Sequence, residues 1–208
     1  MPWFLRISNL VDRIGVDPIK QHWQLTASVF RSEREVLVGL KQIAFDSILA
    51  GIAELENRYG VSPPNPADVF LSRDEVEELA GSGASIGSHT HRHPVLSLLS
   101  QRDQELEIEE SASVIETITG RRPTEFAYPN GTPLDFDATT IALLRASGAQ
   151  LAVTTEQRYV SSRHDAFALP RIGLTDGVPY LRQLVSTVAP SLSASQRRER
   201  RLRFSGVR

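Results

Sequence analysis

The sequence predicts an α/β fold. Apolar residues recur at helical spacing in several separate stretches, short apolar runs of strand character lie between them, and glycines or capping residues punctuate the boundaries at short loop lengths. Alternation of this kind favours parallel strands with helices packed outside, as in an α/β barrel or an open sheet. A chain of 208 residues, 40% hydrophobic and 7% aromatic, suits one domain with a buried core.

The elements follow in order. Trp3, Phe4, Ile7, Leu10 and Val11 recur at helical spacing, so the chain opens on a face that needs burial, where domain termini are usually polar and frayed. Leu40, Ala44, Ile48, Ile52 and Leu55 continue a helical period between Gly39 and Tyr59, and Gly60 stands where a helix stop belongs, which predicts one helix of about five turns. The three prolines of VSPPNPADVF forbid regular structure, and Ser72-Arg73-Asp74-Glu75 is a capping-box pattern that opens a short helix to Ala80. ASIGS then reads as a brief strand that delivers a histidine cluster to its C-terminal end, the end that carries chemistry in β/α folds.

A second helix is expected from Gln101 to Thr119, with Ile108, Ala112, Ile115 and Ile118 on one face and Gly120 as its stop. A strand from Glu125 to Tyr128 leads into the turn PNGTP, and Asp135 is placed to cap a third helix running through Ser147. Strands at 150–154 and 168–172 and a helix at 179–188 complete the expected domain, residues 1–190. The arginine-rich run QRRERRLRFSGVR lies in a basic tail, 191–208, expected to be solvated and disordered, with no catalytic role.

Composition narrows the function. With 23 basic and 25 acidic residues the net charge is -2, which gives no reason to expect nucleic acid or an anionic membrane as partner. No apolar run reaches the length of a membrane span, and MPWFLRISNL lacks the layout of a signal peptide, so the chain as written reads as cytoplasmic. The absence of cysteine excludes disulfides and thiolate sites, so any metal must be held by histidine and carboxylate.

Three of the five histidines fall in GSHTHRHP, residues 87–94. His89 and His93, four apart on a loop leaving a strand, can converge on one cation; a solvated polar loop with incidental histidines is the alternative. His89-Thr90-His91 is also an HxH pair of the kind found in metal-dependent amidohydrolases. Such a site needs a lysine or equivalent bridging ligand and two more histidines downstream, whereas Lys20 and Lys41 lie upstream and only His164 follows.

The stretch GSHTHRHPVLSLLS resembles the metal-binding motif of the polysaccharide deacetylases, the NodB-homology group, in which H-[ST]-x-x-H is followed by Pro and a leucine-rich helix entry. SRDEVEELAGSGASIG, ELEIEESASVIETITGRRPTEFAYPNG and FALPRIGLTDG are similar to further family segments in the same order, so the resemblance covers roughly Leu71 to Gly177. It implies an incomplete, distorted (β/α) barrel that removes N-acetyl groups from a glycan. It also implies a divalent metal, with zinc the expected ion, held by His89, His93 and an aspartate. FAYPNG would supply the backbone N–H of Asn130 as an oxyanion donor. Arg171, at the end of a predicted strand, is placed to orient a carboxylate, with a surface ion pair as the alternative.

The family's first motif, a strand ending in paired aspartates that supply the catalytic base and a metal ligand, is absent, and no Asp-Asp pair occurs in the chain. Phe45-Asp46 matches it only superficially and falls mid-helix by periodicity. The family's late histidine is replaced by LPRIGL, and His164 and His22 sit in polar surroundings. The expectation is a chain that begins after the first strand or two of its barrel, with activity lost for want of the aspartates. The alternative is a non-catalytic remnant that binds a glycan or a partner chain.

Overall fold

In the computed structural model, residues 1–25 and 32–173 are described, almost all of them in one unit, Met1–Arg171. The expected helix at 179–188 and the basic tail lie outside the described residues. Two cores build the unit. The first is all-helical: α1 (Trp3–Ile14), α2 (Val16–His22), α3 (Glu33–Leu40) and α4 (Phe45–Tyr59) bury Trp3, Ile7, Leu10, Ile19, Val36, Leu40, Ile48, Ile52 and Leu55. Trp3, Ile7 and Leu10 form the buried stripe of α1, as its spacing predicts. Arg6 on α1 clasps Glu56 on α4 through two guanidinium nitrogens, Nε and Nη2, with Nε donating to Oε1 at 2.9 Å.

The single helix expected between Gly39 and Tyr59 is two. Leu40 ends α3, Gln42 and Ile43 close tight turns on Gly39 and Leu40, and the chain turns extended at Ala44 before α4 begins at Phe45. The apolar period misled because the stripe of α3 (Val36, Leu40) and that of α4 (Ile48, Ile52, Leu55) stay in phase through the break, while Ala44 between them is exposed. Asp46 therefore sits in the first turn of α4, where a carboxylate favours the helix dipole, and not mid-helix. Gly60 closes α4 in the left-handed conformation expected of it.

The second core is α/β. The capping box at Ser72 opens α5 (Arg73–Gly81), and α6 (Gln101–Thr119) ends at left-handed Gly120. Strand β1 (Glu125–Ala127) pairs in parallel with β2 (Leu151–Gln157), and β2 with β3 (Leu169–Arg171), giving an open sheet in the order β1-β2-β3. Helix α7 (Ala138–Ala146) makes the crossover between β1 and β2. Leu96, Ile108, Phe126, Tyr128, Leu144, Ala152 and Phe167 fill the space between sheet and helices. Tyr128 stacks on Phe136 at 3.8 Å and donates its hydroxyl to the Phe167 carbonyl at 2.7 Å, so its polar end is satisfied in the core.

Two local expectations need correction. The strand ASIGS is reduced to one parallel bridge, Ser88 to Phe126; residues 84–87 are exposed among the described residues, apart from half-buried Ile86. Asp137, not Asp135, caps α7, through a capping box with Thr140. Asp135 instead accepts from the Thr132 N–H and hydroxyl at 2.7 and 2.6 Å and closes the turn that precedes the helix.

Candidate metal and substrate site

Ser88 fixes the root of the histidine loop. Its N–H donates to the Glu125 carbonyl, its carbonyl accepts from Ala127, and its buried hydroxyl meets Ser111 on α6. The next residue, His89, lies at the C-terminal end of this pairing, with Nδ1 2.6 Å from the Ala127 carbonyl. Only an Nδ1–H can donate there, so the bond selects that tautomer and leaves the Nε2 lone pair outward, the arrangement typical of a metal-ligating histidine.

His93 returns to face it. The two ring centroids lie 4.8 Å apart at 78°, whereas the His91 ring turns away to α6, 3.8 Å from Glu110. The loop thus brings His89 and His93 together and leaves His91 aside, which removes the geometric basis of the HxH reading. Bringing them together takes unusual backbone: Thr90 and His93 have φ of 64° and 62°, the left-handed region that costs a β-branched residue most.

Several bonds hold that conformation. The Thr90 hydroxyl accepts from the His93 N–H at 3.1 Å, and Trp3 Nε1 on α1 donates to the His93 carbonyl at 3.0 Å. Phe4 packs its ring 4.8 Å from the His93 ring. From below, the carboxylate of Glu107, only 1% exposed, accepts the N–H groups of His91 and Arg92 at 3.0 and 2.8 Å and the Arg92 guanidinium at 2.6 Å. Arg92 lies across the Phe45 ring at 5.3 Å, so the start of α4 also supports the loop.

His93 is held neutral. Burial above all, then the proximity of His89 and the positive charge of Lys41, push its pKa down to about 4. Its buried Nδ1 has no hydrogen-bond partner among the described residues. A neutral imidazole with an unpartnered nitrogen, facing a second imidazole of fixed tautomer, fits two donors of a divalent ion. Among the described residues no group of three or more histidine or acidic side chains is arranged to hold one.

The second part of the site is the turn after β1. Asn130 has φ 62°, its carbonyl accepts from the Thr155 hydroxyl at 2.6 Å, and its side-chain Nδ2 is buried without a partner among the described residues. Gly131 follows at φ 73°, and a Cβ there would stand 2.9 Å from the Thr155 nitrogen. Gly131→Ala should therefore destabilise the protein by about 2 kcal/mol, through left-handed strain plus crowding, read as a lower thermal midpoint. His93 and Asn130 border an open cleft of about 640 Å³, whose facing wall is made by Trp3, Phe4, Glu33, Leu37 and Lys41.

Arg171 sits at the end of β3, where its Nε donates to the Thr154 carbonyl of β2 at 2.6 Å and clamps the strand pair. His164 closes its own turn, accepting from the Ser161 N–H at 2.9 Å. Sequence reasoning missed Glu107. The signal was present: Gln104, Glu107, Ile108, Ser111 and Ala112 form a full helical stripe, but one that is mostly polar.

The polysaccharide deacetylase family model matches residues 50–152. YxkH of Bacillus subtilis (strain 168), named for the same family, is 29% identical over 108 residues, 52% of this chain and 38% of that protein. Among solved structures, the Streptococcus pyogenes deacetylase PplD in complex with acetate is 26% identical, with a TM-score of 0.46 over 49% of this chain and 44% of that one. IcaB from Ammonifex degensii is also 26% identical, with a TM-score of 0.45 over 51% and 48%. The chain thus spans less than half the length of each of these three relatives.

Proposed function

This chain belongs to the polysaccharide deacetylase family, and from that premise we propose that it is a metal-dependent hydrolase that removes N-acetyl groups from a glycan, with His89 and His93 holding the ion. One observation carries the reading: the two imidazoles face each other at 4.8 Å, each with a nitrogen left over, and His93 lies on a cleft shared with Asn130. Imidazole donors suit several divalent ions, and zinc is the expected one for hydrolysis near neutral pH.

When bound, the ion supplies Lewis acidity toward the amide carbonyl and toward water. The chain's own residues supply orientation. The Ala127 carbonyl holds the His89 tautomer, and Glu107 and Trp3 hold the loop that carries His93. The Asn130 backbone N–H is assigned to the oxygen that becomes negative as water adds to the acetyl carbon, and breakage of the C–N bond then leaves acetate and a free amine. Arg171 is assigned a positioning role at the strand end, acting through Thr154.

The test is acetate release from a chitin oligomer by the full chain, with zinc and with chelator. Zinc-dependent release supports the hydrolase and overturns the expectation that activity is lost without the paired aspartates. The lack of a third acidic donor clustered with the pair among the described residues favours a second reading, a glycan-binding domain without turnover. Oligomer binding with no acetate release in either condition would establish that reading and overturn the first. No described helix is long and apolar enough to cross a membrane.

A further inference from the structure

We propose that the cleft selects a negatively charged N-acetylated glycan, with Lys41 as the cation that meets its anionic substituent, an inference that rests on the glycan reading above. The two walls of the cleft differ in origin. His93 and Asn130 lie within the family segment 50–152, whereas Trp3, Phe4, Glu33, Arg34, Leu37 and Lys41 all precede it. The facing wall is the part of the site that this chain supplies outside that segment, so it is where discrimination between glycans has room to arise.

Most polar and aromatic groups of that wall are already engaged. Trp3 Nε1 is taken by the His93 carbonyl, the Phe4 ring lies against the His93 ring, and the Glu33 carboxylate accepts from the Ser8 hydroxyl. Lys41 and Arg34 remain. Neither forms an ion pair among the described residues, although Arg6, Arg58, Arg92 and Arg122 each do. Among the described residues the chain pairs those cations with carboxylates and leaves these two without one.

Their positions weight them differently. Arg34 is exposed at the start of α3, where water screens it, while Lys41 is half-buried at the C-terminal end of the same helix. Lys41 lines the same cleft as His93, on the wall that faces the proposed reacting centre. A cation in a concave wall focuses positive potential into the cleft, which favours an acidic sugar over a neutral one. An ammonium meets carboxylate and phosphate alike as a point charge, so the shared property is the negative charge.

Calorimetric titration of the full chain compares a neutral N-acetylglucosamine tetramer with a tetrasaccharide alternating N-acetylglucosamine and glucuronate. The acidic ligand should bind about five-fold tighter, the worth of one partly screened ion pair. Lys41→Gln should erase the difference, and Lys41→Arg should keep it. High salt should narrow the difference in the unaltered chain, a readout that stands even if Lys41→Gln lowers the thermal midpoint. Stronger competition by N-acetylglucosamine 6-phosphate than by glucuronate would assign the anion as phosphate, and the reverse as carboxylate; either supports the selection. Equal binding of the two oligomers overturns the inference and leaves the glycan reading standing. Binding of neither overturns both.

Discussion

Glu107→Ala is expected to lower the stability of the protein by about 3 kcal/mol and to release the histidine loop. The estimate weighs two effects. Removing one partner of a buried ion pair costs about 3 to 5 kcal/mol when the other charge is stranded without water. Arg92 is not stranded, because its side chain is 45% exposed and can turn to solvent. Against that relief stand the N–H groups of His91 and Arg92, which lose a charged acceptor, at about 1.5 to 3 kcal/mol for a hydrogen bond of that kind.

For a unit of this size the loss should appear as a fall of roughly 10 °C in thermal midpoint. Arg92→Ala should cost less, since it leaves both backbone bonds to Glu107 intact. A double-mutant cycle between the two positions separates the guanidinium bond from the backbone bonds. If Glu107→Ala melts within a degree of the unaltered protein, the loop is held by Trp3 and Phe4 alone, and the role given to the buried carboxylate is wrong.

The case of Glu107 also explains how far the sequence could be read. Helices and their ends were legible wherever a cap fixes them locally: Ser72 for the start of α5, Gly120 for the end of α6 and Gly60 for the end of α4 stand where side-chain capping or left-handed backbone demands. The histidine pair was legible for a similar reason, since a four-residue turn is local. The polar stripe on α6 was not. Its burial follows from what lies across from it: Ser88 meets Ser111, Thr140 meets Gln104, and the loop N–H groups meet Glu107. Polarity alone gives such residues the pattern of a solvated face, and only tertiary contacts turn that face inward. The break between α3 and α4 was hidden by the opposite effect, two stripes kept in phase by the core they share. The contact of Trp3 with His93, 90 residues apart, lay beyond any local signal, although a buried face at the start of the chain was evident.

His89→Ala should weaken zinc binding at this site by at least about 100-fold, while His91→Ala should change it by no more than about two-fold. The first figure exceeds the 10- to 100-fold loss typical when only a group behind a metal ligand is removed, because here the proposed donor itself is deleted. The second is the range of a surface substitution, about 0.5 kcal/mol either way. Exposure does not separate the two residues, since both are exposed. Direction does. His89 has its tautomer set by the Ala127 carbonyl and its ring against His93, whereas His91 faces Glu110 and lends the loop only its backbone N–H. His93→Ala should match His89→Ala in zinc affinity yet also cost stability, because its ring packs on Phe4 and borders the cleft. Competition with a chromophoric chelator, run beside thermal melts of the three variants, gives both quantities. Equal losses of affinity from His89→Ala and His91→Ala would show that the ion uses the HxH pair, and the assignment to His89 and His93 would fail with it.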